Sequence, residues 1–123
     1  MDKIKLYHYS NTDIKGYLKP DYFGDNFYTG NSQRISNIKR LFFYTSTDRR
    51  ESIFNSSKYL YTASINESKL YDLTTDKLNL AGNIKGDIYA YFKGLGYTGL
   101  IGSIGFTVIC LFNKIKIDEK ITL

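Results

Sequence analysis

The chain has 123 residues, of which 42% are apolar and 24% charged, with 12 Tyr and 8 Phe. This length allows one domain over residues 1–123, and the aromatic content excludes a mainly disordered chain. The single cysteine excludes a disulfide-stapled secreted scaffold, and the net charge of +5 admits an anionic partner (a dinucleotide, a nucleic acid or an acidic protein surface).

Along the chain, Ile4 to Ser10 alternates Ile4, Leu6 and His8 against Lys5, Tyr7 and Tyr9, which predicts a first strand. Asn11-Thr12-Asp13 reads as a turn. Residues 14–37 are polar, broken by Gly16, Pro20, Gly24 and Gly30 and by aromatics at Tyr17, Tyr22, Phe23, Phe27 and Tyr28. With no clear period, they read as a long connection of the kind that often carries function. Arg40 to Thr45 predicts a second, buried strand, and Ser46-Thr47-Asp48 supplies N-cap chemistry for a short helix through Phe54. Lys58 to Ile65 predicts a third strand, and Lys69 to Leu73 an edge piece or a loop.

Thr74 to Leu80 reads as a helical turn. Asn83 to Leu95 predicts a helix, with Ile84, Ile88, Tyr91, Phe92 and Leu95 at helical spacing and Gly96 as its stop. Tyr97 to Gly102 and Phe106 to Phe112 predict a hairpin across Ser103-Ile104-Gly105, with Ile115 and Ile117 extending its second strand. No apolar run reads as a signal peptide or a membrane span, so a cytoplasmic protein is expected.

Few residues suggest chemistry by themselves. Gly94-Leu95-Gly96-Tyr97-Thr98-Gly99 fits GxGxxG, but that motif needs a strand before it and a helix after it, and here the order is reversed. The match is rejected in favour of a helix stop and tight turns. His8 is the only histidine, which excludes a metal site built on several histidines, and no metal is expected. A lone strand histidine is more often packed than functional. Cys110, flanked by Ile109 and Leu111, reads as a small buried hydrophobe rather than a nucleophile.

The order of segments carries more. Leu6-Tyr7-His8-Tyr9-Ser10 is followed by a variable loop, then by Leu41-Phe42-Phe43-Tyr44-Thr45-Ser46 and a helix. Tyr59-Leu60-Tyr61-Thr62-Ala63 and Lys69-Leu70-Tyr71-Asp72-Leu73 come next. Near the end, Gly96-Tyr97-Thr98-Gly99-Leu100-Ile101 precedes Val108-Ile109-Cys110-Leu111-Phe112-Asn113. This order resembles small ADP-ribosyltransferase-like domains of bacteria and their phages.

The resemblance implies an α+β fold of ADP-ribosyltransferase type, a mostly antiparallel split sheet with few short helices. It also implies NAD as substrate, with transfer of ADP-ribose to a macromolecular target. His8 matches the family histidine that hydrogen-bonds an NAD ribose, with Tyr9 and Ser10 beside it. Phe43 matches the tyrosine that stacks on nicotinamide, with Tyr44 one residue on. Thr45 and Ser46 match the small polar residues that follow. His8, Phe43 and Tyr44 are therefore the expected catalytic residues, and His8, Tyr9, Ser10, Thr45 and Ser46 the expected NAD contacts. Tyr9 replaces a family glycine. Thr107 and Val108 stand where active members carry Glu or Gln, whose electrostatic task an apolar side chain cannot perform.

Three functions compete. The first is a transferase with an unassigned carboxylate. The second is a catalytically silent binding protein, such as a phage protein that blocks host defence in the bacterial cytoplasm, for example an anti-CRISPR protein. The third, ranked last because it rests on charge and aromatics alone, is a nucleic-acid binder. A protein target is favoured over a nucleic acid.

Overall fold

The computed structural model describes residues 2–20, 22–25, 35–47, 57–80, 88–103 and 107–123. The elements in order are β1 (Lys3–Ser10), β2 (Tyr17–Leu18), β3 (Tyr22–Asp25), β4 (Ile35–Tyr44) and β5 (Tyr59–Asn66). A one-turn 3-10 helix (Glu67–Lys69) leads to β6 (Leu70–Asp72), then α1 (Ile88–Gly94), β7 (Gly99–Ser103), β8 (Thr107–Leu111), β9 (Ile115–Lys116) and β10 (Glu119–Thr122). The main sheet runs β10-β5-β1-β4-β8-β7-β6, and β3 pairs with the first half of β4. Its pairings are antiparallel except β6 with β7, which is parallel.

This sheet-dominated architecture corrects the expected α+β ADP-ribosyltransferase-like fold. The helical turn expected over 74–80 is a run of turns in which Asp76 and Asn79 take positive φ of 44° and 53°. Asp and Asn tolerate that left-handed region because their short polar side chains bond locally. The expected long connection holds β2 and β3, and β4 begins at Ile35 rather than Arg40. Ile115 does not extend the hairpin: β9 turns away to pair with β2. The helix expected after Asp48 lies outside the described residues, as do 81–87.

Tyr7↔Tyr44 is the single ladder pair between β1 and β4 among the described residues. The sheet is thus two halves on a narrow seam. Their inner faces fold together, so that Leu6, Tyr61, Ala63 and Ile65 of one half pack with Leu41, Phe43, Ile109 and Leu111 of the other. The β2–β9 ladder adds Leu18 and Ile115 to this cluster. The outer face of β6, β7 and β8 carries a second cluster, in which Tyr71, Leu100 and Cys110 meet Ile88, Tyr89 and Phe92 of α1. Burying these apolar side chains is the main drive for folding, at about 1.5–3 kcal/mol each.

Candidate functional site

Strand alternation divides the expected NAD site between two faces. His8 and Phe43 point to the inner face, while Tyr9 and Tyr44 belong to the outer one. The His8 ring lies 5.5 Å from Phe43, and its Nδ1 is 2.9 Å from the Phe42 carbonyl oxygen. This bond falls where β1 and β4 part, so the imidazole meets a carbonyl on β4 beyond the seam pair. Phe43 has 0% of its surface exposed. A ring buried in the cluster that holds Leu6, Leu41 and Ile109 offers no face to a nicotinamide.

The remaining expected residues are dispersed. Tyr9 is buried, and Ser10 is half-buried with its Oγ accepting a bond of 3.0 Å from the Thr12 backbone N–H. Thr45 and Ser46 are exposed beyond the end of β4. Thr107 is exposed at the start of β8, opposite Ser103, and Val108 is buried. The structure therefore brings His8 and Phe43 together and does not join them to Tyr9 or Tyr44. Among the described residues, no group of three or more His, Cys, Asp or Glu side chains could hold a metal ion. No described helix is long and apolar enough to cross a membrane.

No pattern in the sequence announces a groove of about 640 Å³ along β6, the end strand of the sheet. It is built from segments far apart in the chain. Asp2, Glu67 and Asp72 outnumber Lys77 among its charges, while Leu70, Tyr97 and Leu78 give it apolar surface. Leu78 is 62% exposed. Asp76 holds the wall containing Leu78. Its Oδ1 accepts from the Tyr71 hydroxyl and, at 2.9 Å, from the Leu80 N–H, and Leu78 N–H donates to the Tyr71 oxygen at 3.2 Å. Burial, and then the bond to Asp76, holds the Tyr71 phenol above its ordinary pKa.

No family model matches the sequence, and no curated protein or solved structure matches it.

Proposed function

We propose that this protein acts by direct contact with a macromolecular partner, a protein rather than a nucleic acid, without using NAD. The observation that carries the reading is the enclosure of Phe43, whose partner His8 is bonded to the Phe42 carbonyl. These side chains serve the seam of the sheet. The groove along β6 supplies a contact surface: apolar residues bordered by three carboxylates and one lysine suit a protein chain better than a phosphate backbone. The competing reading, ADP-ribosyl transfer, rests on motif order and His8, and it needs a carboxylate that Thr107 and Val108 do not supply.

Calorimetry with NAD tests the choice. Neither the wild type nor His8→Ala is expected to show binding heat. NAD binding by the wild type that is lost in His8→Ala would replace this reading with the transferase. The partner complex is expected to form without NAD and to survive His8→Ala. Leu78→Asp should weaken it about tenfold or more, equivalent to about 1.4 kcal/mol.

A further inference from the structure

Across the turn Glu67–Lys69 from the acidic groove lies a second cleft of opposite charge, with a volume of about 220 Å³. It opens at the rim where the halves of the sheet meet, over a floor of Ile65, Leu111 and Ile115. Three lysines line it, Lys3 from β1, Lys69 from the turn and Lys114 from the segment after β8, with Asn66 and Thr98 between them. No carboxylate among the described residues lines it.

Apart from Ser64, the polar side chains here form no hydrogen bond or ion pair with a described residue. Lys3 and Lys69 form no ion pair with any described residue. Lys114 lies over the Tyr17 ring at 4.8 Å, a contact that orients the ammonium without neutralising it. Asn66 occupies the N-cap position of the 3-10 turn, yet its side chain makes no capping bond. Thr98 is held by its backbone, its N–H donating to the Lys69 carbonyl at 2.9 Å and its carbonyl accepting from the Phe112 N–H at 2.8 Å. Ser64, which also lines the cleft, donates its hydroxyl to the Asp118 carboxylate 2.8 Å away.

We propose that this cleft binds a terminal phosphate or diphosphate group, esterified at one end only to a small ligand. Lysine serves phosphate as a point charge, and amide and hydroxyl donors complete its coordination. The volume lies below the roughly 300–1,000 Å³ of sites that enclose whole drug-sized molecules. The cleft therefore takes a phosphate and the atoms next to it, with the apolar floor meeting the carbon side of the ester. The carboxylates of the neighbouring groove disfavour a long polyanion running past the turn. This inference is independent of the partner proposed for the groove.

The test is calorimetry with inorganic phosphate, pyrophosphate and glycerol phosphate at constant ionic strength, balanced with chloride. Saturable binding is expected, weakened about tenfold or more by the double substitution Lys3→Ala/Lys69→Ala, a loss of about 1.4 kcal/mol. Lys114→Gln should give a loss in the same direction, whereas Lys19→Ala, outside the cleft, should leave the affinity unchanged. Melting curves near that of the wild type would show that the variants are folded. A non-saturating response shared with chloride would overturn the proposal, as would equal affinity in the cleft variants. Displacement of phosphate by a single-stranded oligonucleotide, with affinity rising with its length, would replace the small ligand with nucleic acid.

Discussion

Cys110 lies on the outer face of β8, in the cluster covered by α1, where burial pushes its thiol pKa well above the ordinary range and the neighbouring Arg40 charge only partly opposes this. Nucleophilic thiol chemistry needs the thiolate, so the native protein should resist a thiol reagent and react in step with unfolding. Labelling at a rate independent of denaturant would show that the cluster opens without global unfolding. Gly99 on β7 is set by space rather than by turn geometry. A Cβ there would lie 2.2 Å from the Cys110 carbonyl oxygen and 2.7 Å from Leu111 Cδ2. Because the nearer obstacle is backbone, Gly99→Ala should destabilise by about 1–3 kcal/mol in denaturant titrations. His8→Ala, which removes the bond to the Phe42 carbonyl, should cost about 1 kcal/mol.

The helix–strand junction after α1 shows how an element is ended. Gly96 has φ +97°, its N–H donates to the Lys93 carbonyl at 3.0 Å, and the Tyr97 N–H donates to the Phe92 carbonyl at 3.2 Å. The rings of Phe92 and Tyr97 meet at 6.1 Å. This is a Schellman stop with its apolar contact, and it was legible in the sequence as a glycine after the last helical residue. The burial of the helix was less legible. Ile88 and Phe92 are buried as their spacing suggests, but Tyr91 and Leu95 are exposed, and Tyr89 is buried 4.1 Å from the Arg40 guanidinium. Periodicity cannot show which aromatic a buried arginine will select. β1 and β5 were legible by alternation, whereas β10 carries four exposed residues and is a strand because β5 pairs with it. Both clefts join distant segments, so no local pattern announced them. The turn below β6 has its own pH signature. The raised Tyr71 pKa means that its contribution to stability is complete below about pH 10 and is lost as pH rises through the higher folded-state value. Tyr71→Phe should remove that part of the alkaline loss in melts taken between pH 9 and pH 12.

At the scale of the whole molecule, segments distant in sequence are tied to one another. The Lys120 ammonium bonds the Asp13 carboxylate across a separation of 107 residues, holding the carboxyl below and the ammonium above their ordinary pKa values. A lowered Asp contributes stability above its ordinary pKa of 3.8, lost as pH falls further; a raised Lys contributes below 10.5, lost as pH rises. The pair therefore acts throughout the neutral range. Its exposure makes it sensitive to salt. In a carboxyl NMR titration, Lys120→Ala should move the Asp13 midpoint upward.

The strand order also has a consequence during synthesis. β4, with Leu41 and Phe43 on its inner face, finds its neighbour β8 only once residues 107–111 have been made. Until then a nascent chain shows the ribosome exit an apolar strand with one side unsealed, and a chain interrupted before residue 107 would leave it so. Such strands recruit chaperones or pair with each other. Expression of fragments ending before β8 should accordingly yield inclusion bodies where the full chain does not.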